Sequence, residues 1–420
     1  MKRIIFVYLL IGLPCVLLAQ NINGRFSSSI YSFERFDTTD VSSKNIRSYQ
    51  MLNLNVNQGQ FSLRTYLNLE NSLSNQQDND PSLRFYNLYL EGRNLLNVAT
   101  IKIGRQPLFN SVAGGVFDGA NLDLKLSRVK ISGFYGGNVP AYQKLELTDK
   151  WKDDYVFGGK ISTALAPGLQ AALSFINKNF RPVDYSTVQS IDPIKSLIER
   201  SSNQYMFVTG EVSYQMKHVF NIDTRYDFDL NFEKTSKFEV MGRYEQVENL
   251  GVSLYYNYRE PRVRYNSIFS VFDYGNSQEI EAGADYKIGN MLTVVGKLGN
   301  VMYKDDNSQR FTIGLNNNIG SISYRKTMGY AGELDAVSLY AAHACMNGFI
   351  TPSLGLTYTT YKLSKEDTEK NNLMALLAGL NLRPCKVLSF DLQGQFMDNR
   401  IYRNDFRFFL KINYWFNTNL

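Results

Sequence analysis

From residue 22 onward the chain alternates between apolar and polar positions. Leu52, Leu54 and Val56 interleave with Met51, Asn53 and Asn55. After Asn57-Gln58-Gly59, the residues Phe61, Leu63, Leu67 and Leu69 interleave with Ser62, Arg64, Asn68 and Glu70. Further along, Ile222, Tyr226, Phe228 and Leu230 oppose Asp223, Arg225, Asp227 and Asp229, and the pattern returns over 251–259, 279–288 and 388–396. A period of two predicts strands with one apolar and one polar face. One such strand suits a soluble sandwich. So many, with charges on the second face, cannot share a dry core, because each buried unpaired charge is too costly.

The connections alternate as well. Short ones fall at Gln58-Gly59, Leu95-Leu96-Asn97, Ser127-Arg128, Ala166-Pro167-Gly168, Gly289-Asn290 and Pro384-Cys385. Longer polar ones cover 37–45, 74–81, 137–153, 179–203, 260–278 and 364–371. Short turns at one end and longer loops at the other mark a transmembrane antiparallel up-and-down β-barrel, all-β, with short periplasmic turns and longer outer loops. Turn signals delimit about 18–22 strands, with weaker candidates between Tyr205 and Gly251, and an even count puts both termini on one side. Pro352 marks a strand start, since proline cannot donate within a closed ladder.

Composition fits a wall that faces lipid on one side only. Tyr (28) and Phe (27) are abundant, Trp (2) is scarce, and the mean hydropathy is −0.27. Beyond the first twenty residues no apolar run approaches the roughly 20 that a membrane helix needs. Lys2 and Arg3, the apolar run from Ile4 to Leu18 and the small Ala19 read as a secretory signal peptide over 1–19, with which Cys15 leaves. Residues 20–420 then form a single barrel domain in the outer membrane of a Gram-negative bacterium. Losing Lys2 and Arg3 lowers the formal charge from +6 to +4, too balanced for a nucleic-acid partner. Cys345 and Cys385 fall near different turns, further apart than a disulfide spans, and read as free thiols.

One stretch stands out. Over 99–125, Ile101 and Ile103 alternate with Lys102 and Gly104, and Leu122 and Leu124 alternate with Asn121, Asp123 and Lys125. Between them, Gln106-Pro107 and Ala113-Gly114-Gly115 predict a short connection able to bend into the lumen. The run Ile103-Gly104-Arg105-Gln106, followed by Phe117-Asp118-Gly119, resembles the GRQ…DG element of porin-like outer-membrane barrels of the alginate-export and related porin type. That resemblance implies a barrel that conducts a solute. The candidates for a constriction are Arg105, Asn110 and Asp118, with Lys102, Asp123 and Lys125 beside them.

The polar faces carry both signs. Arg64, Arg225, Arg243, Arg259 and Arg407 stand against Glu70, Glu91, Asp227, Glu239, Glu281 and Asp285. They predict a lumen with a transverse field, or cross-strand pairs that stiffen it. Arg259, Arg262 and Arg264 with Tyr265 form a basic aromatic run. Asp192-Pro193 followed by Leu197 and Ile198 reads as a short helix start. His218 and His343 have no nucleophile motif beside them, and no cofactor or metal signature is present, so no enzyme is expected. The last segment places Tyr402, Phe406, Phe408, Leu410, Ile412, Tyr414 and Phe416 on one face and resembles the C-terminal strand read by the barrel-assembly machinery. The expectation is a porin-like channel for passive or weakly selective diffusion of small polar solutes, bathed by outer-membrane lipid. The alternative is a non-conducting barrel whose loops bind a surface glycan or protein partner. Outward aromatics serve lipid and subunit contacts equally, so monomer and oligomer both stay open.

Overall fold

Each alternating segment becomes a strand paired with its neighbours in sequence. A computed structural model describes residues 21–38, 41–74, 80–139, 145–180, 204–265, 268–304, 306–330, 332–363, 368–400 and 403–419. Residues 1–19, read above as a signal peptide, and Asp192-Pro193, read as a helix start, lie outside these residues. The first strands are β1 (Asn21–Thr38), β2 (Val41–Gln58), β3 (Phe61–Ser72), β4 (Ser82–Leu95), β5 (Ala99–Leu108), β6 (Gly115–Leu126) and β7 (Val129–Val139). They continue as β8 (Tyr155–Ala166), β9 (Leu169–Lys178), β10 (Tyr205–Met216), β11 (Phe220–Asp229), β12 (Lys234–Tyr244), β13 (Leu250–Arg259), β14 (Ser277–Ile288) and β15 (Leu292–Tyr303). The chain ends with β16 (Asp306–Asn317), β17 (Gly320–Gly329), β18 (Glu333–Ala342), β19 (Ile350–Lys362), β20 (Asn371–Cys385), β21 (Leu388–Asn399) and β22 (Asp405–Asn419).

All neighbours are antiparallel, and β1 closes on β22 from Asn21↔Asn419 to Ser32↔Phe408. The result is a closed barrel of 22 strands, the upper end of the expected range. The weak candidates between 205 and 251 are separate strands, each in register with the next. Closure leaves no sheet edge, the form in which strands can span a membrane.

Both described ends of the chain share one rim with the short turns, among them Ser127-Arg128 and Pro167-Gly168. The opposite rim carries the longer connections, with one correction. The segment 37–45 is mostly strand, since Arg35 pairs with Ser43 and Phe33 with Asn45. Two long strands extend that hairpin, so the polar residues 42–45 belong to ladder rather than loop. Pro352 is the third residue of β19, close to the strand start. Cys345 and Cys385 are free and exposed.

The two faces separate over most of the wall. Ile103, Leu173, Leu254, Leu298 and Phe406 stand out from the wall, each more than half exposed. Their sequence neighbours point inward and carry the charges. At the short-turn rim an inward row of amides crosses the closing seam, with Asn21 donating to Asn417 (2.6 Å) and Asn55 to Asn23 (3.1 Å).

Candidate functional site

The lumen is narrowed by the loop 109–114 between β5 and β6. The strand β5 runs on through Gln106 and Pro107 to Leu108, so the connection is shorter than its sequence suggested. Proline is tolerated there because the register between β4 and β5 ends at Leu88↔Arg105, leaving no ladder bond for Pro107 to donate on that side. The root of the loop is apolar. Leu108, Ala113 and Phe117 pack with Val156, Ile176 and Phe207, inward residues of β8, β9 and β10. This buried cluster lies inside the barrel and fixes the loop over one side of the lumen.

The tip is held by cations on its backbone carbonyls. Lys178 Nζ donates to Gly114 O at 2.6 Å, and Arg225 Nη2 to Ser111 O at 2.7 Å. Arg262 Nη1 donates to Val112 O at 3.1 Å. Lys178 ends β9, Arg225 lies on β11 and Arg262 follows β13, so the loop reaches several strands away from its own hairpin. Both guanidiniums also bind Asp227, which is fully buried, at 2.7 Å from Arg225 and 2.6 Å from Arg262. Thr209 Oγ1 donates a further bond to that carboxylate at 2.9 Å. Burial lowers the Arg262 pKa from its ordinary value, against the pull of Asp227. One carboxylate between two guanidiniums leaves local positive charge at the narrows.

Beside the loop lies a cavity of about 680 Å³, lined by Ser111, Arg225, Arg259, Arg262, Tyr255 and Tyr303 among others. Arg259 reaches Ser277 Oγ at 3.2 Å. Under the loop a smaller cavity of about 280 Å³ takes in Lys102, Asn110 and Asp123. Lys102 and Asp123 form a loose pair at 3.4 Å. The Asn110 side chain turns back on its own loop, accepting from Val112 N at 2.8 Å and shaping the bend. Lys125 lines a third recess nearer the short turns.

Arg105 and Asp118 correct the sequence expectation. They pair across β5 and β6 on the outer face of the wall, the face of Ile103 and Leu122, and so do not narrow the lumen. The chain 145–154 folds over them from outside. Arg105 Nη2 donates to Glu146 O at 2.7 Å, and Thr148 N donates to Asp118 Oδ2 at 2.9 Å. Trp151 packs on the outward Tyr135 with ring centroids 5.7 Å apart. A charge facing lipid near the midplane costs about 2–4 kcal/mol, and this cover keeps the pair from it.

The other predicted charges face inward, mostly in pairs. Arg64 meets Glu91 at 2.7 Å, and Glu70 takes Arg47 at 2.8 Å. Arg243 meets Asp285 at 2.8 Å, and Arg407 meets Asp405 at 2.6 Å. Arg310 binds Glu279 at 2.5 Å and Glu281 at 2.6 Å. His218 and His343 sit in connections at the short-turn rim. Lys178 escaped the sequence reading because its partner is a main-chain oxygen 64 residues away.

No family model matches the chain, and no curated protein matches it. Among solved structures, the translocation pore of the P pilus usher PapC aligns at 10% identity and a TM-score of 0.48, covering 94% of this chain and 100% of that one. OccAB3 of Acinetobacter baumannii aligns at 11% identity and a TM-score of 0.45, covering 94% and 99%. A BenF-like porin from Pseudomonas fluorescens Pf-5 aligns at 9% identity and a TM-score of 0.40, covering 95% and 98%. At these values the likeness decides nothing about what this barrel carries.

Proposed function

We propose that the mature chain, after removal of residues 1–19, is an outer-membrane porin-like channel through which small polar solutes diffuse passively. The observation that carries this reading is the inward loop 109–114. It is rooted in an apolar cluster and clamped by Lys178, Arg225 and Arg262, beside a polar cavity of about 680 Å³. A barrel that only displayed its loops to a partner would have no use for a shelf built across its lumen. Width at the shelf and the charges around it set what passes, with no covalent chemistry required. The surplus of guanidinium at the narrows favours anions weakly, because most other lumen charges are paired. The GRQ…DG element then serves as a wall anchor through Arg105 and Asp118, while its connecting loop forms the constriction. Lipid surrounds the apolar outer face, and the aromatic β22 serves as the strand for the barrel-assembly machinery.

The test is single-channel recording of the mature chain refolded into a planar bilayer under a salt gradient. Stable current steps with a reversal potential displaced toward chloride are expected. A folded, heat-modifiable barrel that passes no current would overturn the channel reading.

A further inference from the structure

The lumen wall is not uniform around its circumference. On β3, β5, β11, β12 and β14 the inward positions carry charges at close intervals, including Arg64, Lys102, Arg225, Lys237 and Glu281. The sector β18–β20 differs. The register aligns Leu334 with Tyr361, Thr359 with Leu373, Thr357 with Ala375 and Gly355 with Leu377. These residues share the inward parity, since Tyr358, Leu356, Met374 and Leu376 of the same strands stand outward. Next to them Tyr340 lies near Gly355, whose added Cβ would meet Leu377 at 3.5 Å and Tyr340 at 3.7 Å. Among the described inward positions of these strands, charge returns only with Arg383 at the short-turn end.

A water-filled pore gains nothing from leucines on its inner face, because each keeps apolar surface wet. The shelf 109–114 gives that sector a role. It extends from β5 and β6 toward β11 and the segment after β13, closing that side of the lumen. The open passage is therefore displaced toward the later strands. The large cavity leads the same way, from Arg225 and Arg259 through Tyr303, which stacks on Tyr330 with centroids 5.6 Å apart just before β18.

We infer that the inward face of β18–β20 is a track for the apolar part of the solute. The channel then favours small amphiphilic organic ions over ions of equal charge that are polar throughout. The inference rests on the channel reading above and adds the chemical class of its cargo. Leu334, Leu373 and Leu377 determine that specificity by covering part of an alkyl or aryl body in transit.

The probes are acetate and hexanoate, compared in the same bilayer at equal concentration. They carry one charge each and differ by four methylenes. With about half of each methylene covered, hexanoate should interrupt the chloride current at a concentration on the order of tenfold lower than acetate. Leu373→Ser with Leu377→Ser should bring the two anions close together. Leu373→Met with Leu377→Met should keep the difference, which separates loss of the apolar surface from disturbance of the strand. A conducting barrel that treats both anions alike, or keeps the difference in the serine variant, overturns the track alone. A barrel that passes no ions at all removes the channel reading as well.

Discussion

Arg105 and Asp118 face each other across β5 and β6 with Nε to Oδ1 at 2.7 Å and Nη2 to Oδ2 at 2.9 Å, on the side of the wall turned away from the lumen. Both side chains are only 3% exposed, because residues 145–154 lie over them. Removing one member of such a pair strands the other without solvent. Asp118→Ala should therefore lower stability by about 3–5 kcal/mol, read as a fall in the urea midpoint of the refolded barrel. Conductance of the molecules that do fold should stay at the wild-type value. A normal midpoint with altered current would return this pair to the lumen.

Arg262 is the opposite case. It bonds Val112 O and Asp227, and Asp227 keeps Arg225 and Thr209 when Arg262 is lost. Arg262→Gln should leave the fold intact and release one of the three cationic clamps on the shelf. Single-channel conductance should rise, and the reversal potential should move away from chloride. An unchanged conductance would mean that the apolar root, Lys178 and Arg225 hold the loop without Arg262.

The face of Arg105 was legible from the chain. Arg105 shares parity with Ile101 and Ile103, so alternation alone assigns it outward. What alternation does not supply is the cover. The acceptor for Arg105 is the Glu146 carbonyl and the donor to Asp118 is the Thr148 amide, and main-chain groups leave no mark in residue type. The same holds for the shelf. Small residues at 113–115 announced a loop able to bend inward, whereas its clamps at Ser111 O, Val112 O and Gly114 O are carbonyls any residue would offer. Strand count suffered for a related reason. Between 205 and 251 the connections such as Lys217-His218-Val219 lack glycine or proline, so turn chemistry did not separate the strands there.

Inside the barrel, Arg310 holds Glu279 and Glu281 together, with Lys297 on Glu281 at 3.0 Å. Arg310→Ala leaves two carboxylates against one ammonium in water-accessible surroundings. The preference should shift toward cations, visible as a displaced reversal potential in a potassium chloride gradient. The shift should shrink between 0.1 M and 1 M salt, as the screening length falls from about 10 Å to about 3 Å. A shift independent of salt would mean that the variant changes the pore's width rather than its field.

The free thiols report which rim faces the cell interior. Cys345 lies in the connection after β18, and Cys385 ends β20, so both sit at the rim that carries the short turns and the two chain ends. Both are exposed and have no disulfide partner among the described residues. If that rim is periplasmic, a polymer-conjugated maleimide too large for the lumen should label neither thiol on intact cells. Labelling should appear at both once the outer membrane is permeabilised. Cys345→Ser and Cys385→Ser, made singly, assign each signal to its residue. Labelling on intact cells would invert the barrel, placing the short turns outside and the shelf 109–114 at the periplasmic mouth.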